Sequence, residues 1–441
     1  MSMSAAHYLE QYPQLAATLP GRDLPWLNAK RRAALAQFSA GGFPSPREEE
    51  WKYTNVTAIE KKRFQPDILA AGTSLVDAAW LAPLYLQDAW VLVLLDGRYS
   101  PDHSRLDGLP EGVVLASLSR ALEQFPERVE ARFGRTLEAE RHGFIAFNTA
   151  YFTDGVYLDV PAGVVLERPV QILHVSTRAD GLAATRSLIS LGENSQARLV
   201  ESYAGLDGQS YLSAAVTEID LSEGAGLDGY KLQNESDKAY HFGGLYVSQA
   251  RNARFAHHNL AFGGLLARTE IHADLDTGSE CELNGLFLGQ GRQHVDNHTL
   301  IQHRKPQGVS HETYRGVLAD RAHGVFQGRI VVHPDAQKTS AEMSNRNLLL
   351  SDDAEIDTKP QLEILADDVK CSHGVTVGQL AQESVFYLES RGVDRESARN
   401  MLTFAFANEM VEKISLDSLR AQAQEQLLRL FPQAGIRRDW L

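Results

Sequence analysis

The chain has 441 residues, 43% hydrophobic and 23% charged, with a formal net charge of −14. Such a length needs two or three domains or a repetitive fold, and the composition argues against large disordered regions. The acidic balance argues against a nucleic-acid partner, since phosphate binding needs a positive surface; the short run Lys61-Lys62-Arg63 reads as a solvated face.

Only two cysteines occur, Cys281 and Cys371, so no disulfide framework can be read. The first residues lack a basic stretch followed by an apolar run, and Ala89 to Leu95 is far shorter than the roughly 20 residues that span a bilayer. These features predict a cytoplasmic chain that touches no membrane. There the Asn-x-Ser/Thr triplets at Asn55, Asn234 and Asn297 carry no weight.

Residues 1 to about 70 read as helical. Leu9, Tyr12, Leu15 and Leu19 recur at helical spacing, as do Leu27, Ala34, Leu35 and Phe38, until Gly41-Gly42-Phe43-Pro44 stops the pattern. The run Arg47-Glu-Glu-Glu-Trp51-Lys52-Tyr53-Thr54 follows, then a strand signal at Trp90 to Leu95 and a helical pattern over about Leu115 to Arg132. A first region is therefore expected over 1–145.

From 146 to 376 short stretches alternate apolar with polar at period two, divided by Gly, Asn, Asp and Ser. Related units begin near Glu193, Glu223, Arg251 and Thr277, in steps of 30, 28 and 26 residues, with later ones near Asp320 and Asp352. Steps of that size suit the coils of a β-solenoid, in which each rung covers the apolar face of the next. An antiparallel sandwich or barrel is the competing fold. The Gly224-Ala-Gly226-Leu-Asp-Gly229 run does not open a helix, so it reads as a solenoid turn rather than a dinucleotide fingerprint. No P-loop motif occurs, so an ATP-driven step would need another protein.

Helical periodicity returns over 377–441. Leu380, Val385, Phe386 and Leu388 pattern one helix, Arg391-Gly392 stops it, and Asp394 can N-cap a long helix reaching Ile414 or beyond. That helix carries two apolar stripes, Met401/Phe404/Ala405/Val411 and Leu402/Phe406/Met410/Ile414. Two stripes need two covers: either the solenoid end and neighbouring helices supply both, or one docks a partner.

Two groups of side chains could carry chemistry. His294, Asp296 and His298 stand at i, i+2 and i+4, so a strand puts them on one face, with His303 and His311 following. They suit either a zinc or iron site or a hydrogen-bonded polar ladder on the outside of the solenoid. Cys371 and His373 also share a strand face, where the solenoid pattern gives way to helices. Two ligands are too few for a closed site, so a metal or cluster there would need a second chain.

The stretch from Asp352 through Cys371-Ser-His373-Gly-Val-Thr-Val-Gly378 resembles the SufB/SufD scaffold family of the SUF iron–sulfur assembly system. So do Gln327-Gly-Arg-Ile-Val-Val, Ala336-Gln-Lys-Thr-Ser-Ala, Asn347-Leu-Leu-Leu-Ser and Phe386-Tyr-Leu-Glu-Ser-Arg-Gly392. Upstream, Arg47-Glu-Glu-Glu-Trp-Lys-Tyr-Thr54 is similar to an N-terminal motif of the SufD branch, and the scarcity of cysteines also favours that branch. The resemblance implies a mainly β fold: a right-handed parallel β-helix flanked by N-terminal and C-terminal α-helical regions. It implies a scaffold rather than an enzyme, with a SufB-like subunit and a SufC-like ATPase as partners and a homodimer allowed when isolated. His373, with Cys371 as the weaker candidate, would lie at the cluster assembly interface. Met401, Leu402, Phe404, Phe406 and Met410 would belong to the ATPase docking segment. The isolated chain is expected to hold no cofactor tightly; the iron–sulfur cluster is transient, and reduced flavin belongs to the assembled complex. The rivals are a carbohydrate-active solenoid enzyme, which needs a groove of charged residues and is usually secreted, and a stand-alone metal-binding protein using His294, Asp296 and His298.

Overall fold

The computed structural model describes residues 5–66, 76–137 and 142–431. From Val156–Val160 to Lys370–Gly378, successive strands alternate between two ten-stranded sheets. Each pairs in parallel with the strand two places along the chain: Gly226 lies opposite Gln196 on one side and Arg254 on the other. One coil therefore contributes one strand to each sheet. The chain is a β-solenoid with helical regions at both ends.

Period-two alternation explains the layering. On Glu280–Gly289, Cys281, Leu283 and Phe287 face the core between the sheets, whereas Leu286 and Leu288 face the cluster beneath the C-terminal helices. The inter-sheet core runs from Trp90 and Leu92 to Met343 and Ala366.

The repeat visible in the sequence is a corner of the coil. Asn194, Gly224, Asn252 and Gly278 have φ of +56°, +67°, +56° and +68°, a region that Gly and Asn tolerate best. Their amides stack the corners: Asn194 N donates to Glu223 O at 3.0 Å, Gly224 N to Arg251 O at 3.0 Å and Asn252 N to Thr277 O at 2.9 Å. The units near Asp320 and Asp352 belong to the opposite corner, where Asp320 N donates to Ser351 Oγ at 2.8 Å. They are half a coil out of phase with the first four.

Two expected helices differ in detail. Within Leu115 to Arg132, Val114–Ser117 is a strand, and Pro126, which has no N–H to donate, divides Leu118–Gln124 from Pro126–Arg132. Asp394 does cap its helix, accepting from Ser397 N at 2.9 Å, but Arg395–Val411 ends before Ile414 and a second helix, Asp417–Leu430, follows. Trp90–Leu95 pairs in parallel with Val170–Ser176, so the stack starts upstream of residue 146.

The N-terminal region covers one sheet, with Phe38, Trp51, Phe144 and Tyr151 packed over Ala214, Phe242 and Tyr246. The C-terminal helices cover the other, with Phe404, Val411 and Ile414 against Val200, Leu286 and Val317. Among the described residues no helix is long and apolar enough to cross a membrane.

Candidate functional site

The two ends of the solenoid are unlike. At the first end, short antiparallel strands close the edges: Arg98–Tyr99 pairs with Trp90–Leu95, and Val114–Ser117 with Val156–Val160. At the other, Glu355–Ile364 and Lys370–Gly378 are the last strands of their sheets, each paired on one side only among the described residues. Unpaired strand edges are templates for another chain. Large apolar side chains are exposed beside them: Ile364 at 42%, Val375 at 36% and Val377 at 47%.

His373 lies on this open end. It pairs with Met343, a core residue, so it belongs to the row that faces the space between the sheets. It is exposed because no further coil covers it. Cys371 pairs with Ala341 one step along that row, is half-buried against the core, and has its thiol pushed up by burial. The expected pair therefore shares a face, with the imidazole open and the thiol partly sealed.

His294, Asp296 and His298 also share a face, on His294–His303, but that face is buried under the N-terminal segment. Arg268 Nη1 donates to Asp296 Oδ2 at 2.7 Å, and Thr54 Oγ1 donates to the same oxygen at 2.5 Å. Asp296 Oδ1 meets His298 Nε2 at 3.0 Å. Burial pushes the Asp296 carboxyl up, but Arg268 and His298 outweigh it and hold it below the usual carboxylate range. Burial lowers His294 to about 4. Arg268 also donates to Glu50 O at 2.9 Å and stacks 3.6 Å from the Trp51 ring centre. The Arg47–Thr54 run is thus the cover of a polar ladder. A guanidinium already supplies the positive charge a metal would bring, and among the described residues no group of three His, Cys, Asp or Glu is arranged to hold one.

The C-terminal residues divide by burial. Phe404 and Met410 are buried against the solenoid and hold the helix in place, which removes them from any docking face. Met401, Leu402 and Phe406 are partly exposed. Arg315 bridges from the sheet, donating to Phe406 O at 2.6 Å and pairing with Glu409. Among the described residues the most exposed aromatic pair is on Gln382–Glu389, where Phe386 is 69% and Tyr387 56% exposed. The long helix is thus mostly core on its inner side.

Comparison with known proteins decides the family. The SUF system FeS cluster assembly SufBD core domain matches residues 174–406, and the SufBD protein N-terminal region matches residues 2–172. The chain belongs to the SufBD family. It is 30% identical over 422 residues to an iron–sulfur cluster assembly SufBD family protein of Synechocystis sp., covering 93% of this chain and 92% of that one. It is 29% identical over 403 residues to the iron–sulfur cluster assembly protein SufD of Escherichia coli, covering 90% and 92%. SufD of Bacillus subtilis is 25% identical over 410 residues, covering 90% and 92%. These SufBD relatives are described as iron–sulfur cluster assembly proteins. In this SufBD chain the core-domain match contains the polar ladder, Cys371 and His373, while the Arg47–Thr54 cover falls in the N-terminal match.

The sequence could not mark Arg268, Thr54 and Glu50 as one network, because Arg268 lies more than 200 positions from the other two. It also could not mark Glu312, a carboxyl buried between the sheets.

Proposed function

We propose that this chain is a cytoplasmic, non-catalytic scaffold subunit of a SUF-type assembly complex. Its open solenoid end pairs with a SufB-like subunit, and its C-terminal helices bind a SufC-like ATPase. A nascent iron–sulfur cluster, as cargo rather than resident cofactor, forms where the two scaffold chains meet. The observation that carries this reading is the uncapped pair of edge strands with Val375, Val377 and His373 exposed on them. A free edge offers a row of backbone donors and acceptors, and the exposed valines add apolar area for the partner to cover. His373 then contributes one imidazole nitrogen, and the sister chain supplies the remaining ligands.

Flavin association is a property of the assembled complex in this reading, and the isolated chain holds no cofactor tightly. The ATPase meets the exposed Phe386 and Tyr387 with the outer side of Arg395–Val411, namely Met401, Leu402 and Phe406. The test is co-purification from the native cell. A SufB-like chain and an ATPase should accompany the wild type, and Val375→Asp with Val377→Asp should lose the SufB-like chain while keeping the solenoid folded. Undiminished capture by that double variant would overturn the pairing.

A further inference from the structure

The backbone ladder places Glu312 in line with the open end. Leu283, Glu312, Met343 and His373 pair in succession across neighbouring strands, and His257 precedes Leu283 in the same line. At roughly 4.8 Å per strand, Glu312 lies about 10 Å from His373 and the same distance from His257. It is 1% exposed. Thr299 Oγ1 donates to Glu312 Oε1 at 2.5 Å, and Oε2 has no hydrogen-bond partner.

The groups facing this carboxyl do not supply a compensating cation. From its own strand comes the Tyr314 phenol, and from the adjoining strand the Cys281 thiol; burial raises both, and Glu312 raises them further. Across the gap stand Thr299 and Asn297, and farther along their strand His303, which meets Ser310 Oγ at 2.9 Å and is lowered to about 4 by burial; Asn259, on Glu312's own sheet, donates across to Asn297. His257 is lowered to about 3 by burial and stays neutral. Met343 separates Glu312 from His373. An isolated carboxylate in such a place is unfavourable, so the group keeps its proton or finds a positive charge. Consistently, burial pushes the Glu312 carboxyl up to about 7.

We propose that Glu312 is a positioning residue for the open end: it holds a proton while that end is uncharged and releases it when positive charge is placed there. The inference rests on the reading of that end as the place where the cluster is built. In the release step the carboxyl O–H bond breaks, the proton passes to bulk water and a carboxylate remains. The carboxylate then offsets the cationic iron placed at the open end. A unit charge about 10 Å away changes proton affinity by about twofold through water-like surroundings and by about tenfold through protein interior. Coverage by a partner therefore strengthens the coupling.

The experiment reads the Glu312 carboxyl by infrared difference spectroscopy in the full chain, with Glu312→Gln assigning the band. Charge is varied at the far end with His373→Gln and His373→Arg. The protonated-carboxyl band should titrate near neutrality in His373→Gln and at least twofold more readily in His373→Arg. Glu312→Asp should restore a titrating band that Glu312→Gln lacks, which a purely structural role does not require. Equal midpoints in the two position-373 variants, or an ionised Glu312 throughout, would overturn the proposal. Neither result depends on partner capture, so failure here is separable from failure of the pairing reading.

Discussion

Glu312 and His373 occupy one line of the backbone ladder, two strands apart, with only Met343 between them. One is sealed in the inter-sheet space and the other is exposed where the stack stops. The same row of the same sheet thus passes from an interior environment to a surface one, solely because the coils end.

That burial predicts a pH dependence of stability. The folded carboxyl binds its proton more tightly than the unfolded one, whose ordinary value is 4.5, and titrates at about 7. The Glu312 contribution to stability is therefore fully present below pH 4.5 and is lost as pH rises through 7. The loss amounts to about 3 kcal/mol above that window. Glu312→Gln should abolish it, so urea unfolding at pH 5 and pH 8 should show the variant gaining on the wild type at the higher pH.

The cover over the polar ladder makes a second expectation. Removing the Arg268 guanidinium leaves Asp296 and Glu270 buried without their shared cation, and breaking such a buried pair costs about 3–5 kcal/mol. Arg268→Ala should therefore unfold at markedly lower denaturant. Tryptophan fluorescence should red-shift first, because Trp51 loses the group stacked on it.

The C-terminal helices separate core from surface. Phe404→Ala should lower stability by about 3 kcal/mol, since it empties a buried site. Phe386→Ala, at an exposed position, should change it by less than about 0.5 kcal/mol. Binding of the ATPase, measured by titration calorimetry, should fall for Phe386→Ala and Tyr387→Ala at unchanged melting temperature.

Much of the fold was legible because solenoids repeat. The Asn194, Gly224, Asn252 and Gly278 corners need φ above zero, and the residues that tolerate it mark each coil in the sequence. The helical ends were legible from apolar spacing and from Asp394 as a cap. The site was legible only where its residues are neighbours in sequence, as Cys371 and His373 are. Burial was not: His294, Asp296 and His298 share a face as period two requires, but the segment that covers them comes from residues 50–54. The two stripes on Arg395–Val411 were sorted by helical spacing, whereas the solenoid face and the following helix bury one residue from each, Phe404 and Met410.

In the proposed function, His373 serves the cluster only where a sister chain completes its surroundings. The most direct test of this role is cluster yield in the reconstituted complex, comparing His373→Ala with the wild type at matched subunit stoichiometry. Assembly of the complex should be unchanged and the yield should fall severalfold. Equal yields from equally assembled complexes would contradict the account.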